Sequence, residues 1–512
     1  MASFLRNKTQ IIAGATICSV PILNYWWRNG GQDFNQNIVV FAHERPPDDP
    51  PTPYQTTKPK GSGAFSGTSY HGSIDDIRHD LIASVPQLKQ RQTDPKYIQL
   101  PPPIEELTLK NVHIFFRHGA RMPLRPSPMK QVTWDKDMLL SGVPFTMIKY
   151  QLKYLDGTPC NEFGRVEKIY RKHVFDGGSF GGQLTNLGQD QMYQLGVECR
   201  KRYLEERQLV PDVYKREYVY AQSTNIMRTI ESTRCVIAGL FGAESFDESG
   251  AVAEIVVSKD TDEILYPNFR MCDVLVEIAK RGRSALSKIK GERKLRKQCM
   301  DKLGITDSAH TSQLLALIRD EILCRQAHGL PIQENLQKLV PQILDFGEEV
   351  CMLSTVGVKE DLEKYLLLAV GPLFHMILEN MDKVFHNNNS PAKINLYGVH
   401  DTTIIPMLLA MKAYDGAWPD YAANIKFELY EDCLGDHWVR ILHCDKEITL
   451  PNCENSVCRY EQFRDEFSHL NITVNQFTSI CCGKEHKSLL DRLFKKTFTP
   501  PEDDIRTVPA SM

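Results

Sequence analysis

Arg117-His118-Gly119-Ala120-Arg121-Met122-Pro123 sets one histidine between two arginines, directly after an apolar stretch that ends at Phe116. Guanidinium groups meet phosphate oxygens through paired, charge-assisted hydrogen bonds. A histidine held among them attacks phosphorus as a neutral imidazole and becomes a phosphohistidine. The flanking cations favour that form, because nearby positive charge lowers a histidine pKa. Gly119 and Pro123 suit a tight, rigid loop. An Arg-His pair alone is usually a solvated loop; the complete RHGxRxP string after an apolar strand is far more specific.

A second constellation is His400-Asp401, at the end of the apolar run 394–399 (INLYGV). An aspartate there can protonate a leaving alkoxide, and the histidine can donate a hydrogen bond to phosphate. Taken alone, Asp401 before Thr402-Thr403-Ile404-Ile405 reads as a helix N-cap. The third element is Arg228, within Ser223-Thr224-Asn225-Ile226-Met227-Arg228-Thr229. An arginine in the first turns of a helix can face an anion near that N-terminus, and on local grounds Arg234 serves equally.

These residues need strands to present them. Residues 107–116 (LTLKNVHIFF) and 394–399 read as strands. Leu184, Leu187, Met192, Leu195, Cys199 and Tyr203 recur at helical spacing behind Thr185, a candidate N-cap. Residues 226–241, 362–385 and 402–412 read as further helices. The alternation predicts an α/β sheet core with a helical insertion over about 271–360. The folded domain is expected over 100–498, followed by a tail at 499–512. Before it, residues 1–30 carry Arg6 and Lys8 ahead of an apolar run at 11–27, without an acidic residue. That pattern fits a targeting segment or a membrane anchor. Residues 31–99, rich in Pro, Gly and Ser, read as a disordered spacer.

The net charge of −3 over 512 residues gives no overall field for nucleic acid, so no nucleic-acid partner is expected. None of the 14 cysteines falls in a CxxC pair and Cys481-Cys482 lacks metal-ligand spacing, so no metal site is expected. Cys453 and Cys458 flank a short polar loop and could bridge in an oxidising compartment, the alternative being buried thiols. Asn388 and Asn471 lie in glycosylation sequons, relevant only on a secretory route.

The RHGxRxP and HDTT strings resemble the two signatures of the histidine acid phosphatases. Longer segments carry the likeness to the branch that hydrolyses lysophosphatidic acid: 115–128 (FFRHGARMPLRPSP), 182–196 (GQLTNLGQDQMYQLG), 223–241 (STNIMRTIESTRCVIAGLF), 263–272, 369–380 and 401–409. It is weaker over 284–344, and the spacer before residue 100 departs from it. The resemblance implies a doubly wound α/β core sheet with a smaller, mostly helical cap, and no cofactor. It implies His118 as nucleophile and Asp401 as proton donor, with Arg117, Arg121, Arg228 and His400 binding phosphate. The implied substrate is a small-molecule lysophospholipid, lysophosphatidic acid, cleaved to monoacylglycerol and phosphate. The implied location is the mitochondrion, against a membrane-anchored or luminal alternative. Trp134, Phe145, Phe180 and Tyr193 are candidates to line an apolar groove or simply to fill the core. Competing readings keep the chemistry on a phosphosugar, phosphoprotein or inositol phosphate. Others make the chain a non-catalytic phospholipid-binding module, or a membrane-tethered interaction protein.

Overall fold

A computed structural model describes residues 101–306, 313–385 and 392–481. The leader 1–30, the spacer 31–99, the sequon at Asn388 and the tail beyond 481 lie outside the described residues.

Strand β1 (Thr108–Arg117) is buried from Asn111 onward, as an apolar run such as VHIFF requires of a central strand. Nine strands form one sheet: β1, β2 (Tyr150–Tyr154), β3 (Val219–Ser223), β4 (Ala253–Val257), β5 (Ile394–Val399), β6 (Asn424–Glu431), β7 (His437–His443), β8 (Lys446–Ile448) and β9 (Val457–Arg459). Their order is β2-β4-β3-β5-β1-β6-β7-β8, with β9 beside β7. The first five in that order run parallel. The remainder form an antiparallel wing that begins where β6 pairs with β1.

Helices α1 (Asn186–Cys199) and α2 (Met227–Phe241) follow the early strands; α3 (Asp273–Ala285), α4 (Glu292–Leu303), α5 (Leu314–Ala327), α6 (Val340–Thr355) and α7 (Leu362–Phe385) precede β5, and α8 (Asp401–Ala410) follows it. Side chains alternate across a sheet, so the two faces take different partners. Ile114, Phe116 and Leu396 pack with Met192 and Leu195 of α1 and Ile230 and Ile237 of α2. Phe115, Tyr397 and Val399 belong to the opposite core, with Phe374 and Ile377 of α7 and Ile404 and Leu408 of α8. Each such fully buried apolar side chain contributes about 1.5–3 kcal/mol. The result is a doubly wound α/β core with helices on both faces. Every described element from Asp273 to Asp361 is helical, and α4, α5 and α6 share an apolar cluster around Leu295, Ile318, Ile322 and Ile343. None of the described helices is long and apolar enough to cross a membrane.

Two readings that the sequence leaves open are resolved. Helix α8 begins at Asp401 itself, with His400 as N-cap and no side-chain cap bond. Asp401 is thus the first helical residue and not the N-cap; its Oδ1 still accepts from the Thr402 backbone N–H at 2.8 Å, while its Oδ2 pairs with Arg117 at 2.8 Å. Cys453 and Cys458 are free, buried thiols, whereas a disulfide joins Cys272 to Cys481. The bridge links the segment entering α3 to the end of the last described helix, Val474–Cys481.

Candidate active site

The sheet register brings the two motifs together. Arg117 is paired with Val399 across β1 and β5, so His118 and His400 leave neighbouring parallel strands at the same level. Ser223 of β3 is paired with Gly398, which sets Thr224 beside them. The His118 and His400 rings stand edge to face with centroids 5.5 Å apart. This is the carboxyl end of the parallel strands, where sites gather in open α/β sheets.

Close backbone packing fixes the loop after β1. A Cβ on Gly119 would lie 2.2 Å from the carbonyl oxygen of Gly188 in α1, so only glycine fits. Gly119 N–H donates to Ser232 Oγ at 3.2 Å and Ala120 N–H to Gln191 Oε1 at 2.8 Å, tying the loop to α2 and α1. His118 Nδ1 lies 2.9 Å from the Gly119 carbonyl. A carbonyl only accepts, so Nδ1 carries the hydrogen and Nε2 keeps its lone pair.

The arginines divide the space around that nitrogen. Arg117 ion-pairs with Asp401, donates to the Pro419 carbonyl at 2.6 Å and lies 4.5 Å from the centre of the Tyr421 ring. Arg121 Nη2 reaches Asp320 Oδ1 at 2.9 Å, and Asp320 Oδ2 also accepts from Leu124 N–H at 2.9 Å. Arg228 has Nη2 3.5 Å from His400 Nδ1 and its guanidinium 4.9 Å from the Tyr170 ring centre. Arg228 Nε and Nη1 are buried without an acceptor among the described residues, as suits an anion-binding guanidinium. Arg234, equal to it on local grounds, turns instead to Gln189 Oε1 at 3.3 Å and Thr146 Oγ1 at 3.5 Å. Tertiary packing separates the two.

Burial, then Arg228, Arg117 and Arg121, hold His118 well below the ordinary histidine range. Burial and Arg228 do the same to His400. Burial alone would raise Asp401, but Arg117 and Arg121 outweigh it and hold the carboxyl at about 2. Three buried cations, two neutral imidazoles and an ionised carboxylate thus meet at the ends of these strands. Such a set can bind a phosphate group, attack it and exchange a proton with its leaving group.

Several contributors carry no sequence signal. Asp320, Cys324 and His328 come from α5 and its C-terminus, within the helical insertion, and reach Arg121 and Thr185. Glu167 Oε2 accepts from Met227 N–H at 3.1 Å and so caps α2 from outside, just before Arg228. Thr224 Oγ1 lies 3.0 Å from His400 Nε2, and Trp418 Nε1 donates to Asp401 Oδ2 at 3.1 Å. Of the aromatic residues considered for a groove, Trp134 is wholly buried, Phe145 packs on Tyr193 and Phe180 lies on Arg171.

The family model of the histidine phosphatase superfamily (branch 2) matches residues 108–444. Lysophosphatidic acid phosphatase type 6 of Homo sapiens is 32% identical over 381 residues, 73% of this chain and 86% of that protein. Prostatic acid phosphatase of Homo sapiens is 28% identical over 377 residues, covering 70% and 84%. Among solved structures, the apo form of Hafnia alvei phytase superposes with a TM-score of 0.46 at 15% identity, covering 73% and 98%. The match runs from β1 through β7, over every strand and helix that brings the site together. The chain belongs to branch 2 of the histidine phosphatase superfamily and is a histidine acid phosphatase, a phosphoric monoester hydrolase.

Proposed function

We propose that this phosphatase hydrolyses lysophosphatidic acid to monoacylglycerol and phosphate through a phosphohistidine on His118. The observation that carries the mechanism is the neutral His118 ring, its Nε2 lone pair free among Arg117, Arg121 and Arg228. The arginines hold the phosphoryl oxygens, with His400. A guanidinium only donates, so His400 Nδ1 accepts from Arg228 Nη2 and Nε2–H donates to Thr224 Oγ1, which fixes the ring beside the phosphate site. Asp401 is the proton donor. A bound phosphate dianion offsets the charge of Arg117 and Arg121 and adds negative charge beside the carboxyl, which raises its hold on a proton. The carboxylate then accepts the proton of the water that opens the phosphohistidine.

Likeness to lysophosphatidic acid phosphatase type 6, at 32% identity over 86% of its length, supports the lipid as substrate. Asp320 and Asp401 beside the arginines also disfavour a polyanionic leaving group such as an inositol polyphosphate. Residues 1–30 are read in the same proposal as a mitochondrial targeting segment. The test is phosphate release from lysophosphatidic acid, p-nitrophenyl phosphate and phytate, with EDTA present and His118→Ala as control. Preference for the lipid, unaffected by EDTA and lost in the variant, is the expected outcome. Turnover of p-nitrophenyl phosphate without the lipid would reassign the substrate. Substantial turnover by His118→Ala would sink the covalent step.

A further inference from the structure

Trp418 belongs to no sequence motif; it stands half-buried on the segment between α8 and β6. Its indole N–H donates to Asp401 Oδ2 at 3.1 Å. The same oxygen meets Arg117 Nη2 at 2.8 Å, while Oδ1 accepts from the Thr402 backbone N–H at 2.8 Å. A carboxylate offers about two lone-pair sites on each oxygen. Both on Oδ2 are therefore taken, and Oδ1 keeps one. The helical region sets the ring from its other side: the Arg319 guanidinium of α5 lies 4.6 Å from the indole centre. Arg319 is itself fixed, by Glu348 Oε2 at 3.3 Å and the Leu344 carbonyl at 3.3 Å, both from α6.

We propose that Trp418 is the positioning residue of the proton donor: with Arg117 it occupies Oδ2 and so makes Oδ1 the oxygen that carries the proton. The proposal rests on the reading of Asp401 as donor. His118 Nε2 forms a bond to phosphorus as the ester P–O bond breaks. The electron pair of that bond stays on the leaving oxygen, which takes the proton from Oδ1. Water then bonds to phosphorus, the N–P pair returns to Nε2, and Oδ1 recovers a proton. The ionisable groups facing Asp401 are Arg117, Arg121 and His400 from the core and the Cys351 thiol from α6. Trp418 is neutral, so removing its N–H deletes one hydrogen bond and no formal charge.

The test compares kcat against pH for the full-length protein and Trp418→Phe, on p-nitrophenyl phosphate and on glycerol 3-phosphate. A good leaving group needs little protonation, so the variant is expected to slow the alkyl ester on the order of tenfold more than the aryl ester. Loss of a hydrogen bond to the charged carboxylate raises its pKa, so the alkaline limb of kcat moves up by about half a pH unit. Equal slowing of both esters with an unmoved limb would overturn the proposal. Arg319→Met, which loosens the ring but keeps its N–H, is expected to show the same bias more weakly. It decides the matter if Trp418→Phe fails to fold, absence of bias again overturning the proposal. Asp401→Asn is the reference. Equal slowing of both esters there would overturn the donor reading itself, whereas bias in Asp401→Asn without bias in Trp418→Phe overturns only the role of Trp418.

Discussion

Arg228 is a buried guanidinium with two nitrogens that meet no protein acceptor, and among the described residues no carboxylate pairs with it. A buried charge left this way costs stability, and the chain retains it at the start of α2, beside His400. Function and stability are therefore opposed at this residue. Arg228→Met keeps an unbranched chain of similar length and removes the charge. The expected outcome is a KM for p-nitrophenyl phosphate raised about tenfold or more, since a charge-assisted bond contributes roughly 1.5–3 kcal/mol. The unfolding free energy should rise by about 1 kcal/mol. Steady-state kinetics and a urea midpoint on one preparation check both; an unchanged KM would remove Arg228 from the phosphate site.

Strand β1 does more than end at His118. Its own His113 is wholly buried, with Nδ1 3.2 Å from the Tyr397 hydroxyl, and burial lowers its pKa to about 3. The folded strand thus holds this ring neutral, while the unfolded chain protonates it below about pH 6.5. The unfolded state then binds more protons, so stability falls as pH drops from about 6.5 towards the folded value. His118 and His400, also held below the ordinary range, act in the same direction. His113→Phe keeps a flat ring against Tyr397, which lies nearly parallel to it. The variant is expected to lose less stability between pH 6.5 and 4.5, by about 1.4 kcal/mol per pH unit. Denaturant titrations at several pH values measure that slope, and identical slopes would contradict a neutral buried His113.

At the scale of the whole molecule, the Cys272–Cys481 disulfide spans 209 positions and ties the last described helix to the segment that leads into the helical region. Closing so long a loop removes entropy from the unfolded chain, and loss of a native disulfide typically costs about 2–5 kcal/mol. Cys481→Ser should therefore unfold at lower temperature than wild type in non-reducing buffer. The difference should vanish once a thiol reductant is added and the wild-type bridge is open. A difference that persists under reduction would mean that serine fails in packing and that no bridge was lost.

Local chemistry and periodicity made much of this protein legible without a structure. RHGxRxP after an apolar strand, HDTT after a second one, and helices over 226–241 and 362–385 all lie within single segments, where spacing alone carries the signal. The ends of β1 and β5 could be marked as the place for a site because apolar runs stop there. What the sequence left undecided depends on which segments become neighbours. The pairing of Arg117 with Val399 sets His118 beside His400, although the paired residues are 282 positions apart. The docking of α2, with one face toward His400 and the other toward Gln189, separates Arg228 from Arg234. Asp401 turns one oxygen to Arg117 and Trp418 and the other to the first turn of its own helix, because the ion pair reaches its carboxylate from another strand. Asp320, Arg319 and Cys351 enter from the helical region, whose sequence shows amphipathic helices and nothing of what they dock against. Residue types and short spacings are properties of the chain; distances between remote side chains are set by sheet order, register and helix packing, which only the tertiary structure decides.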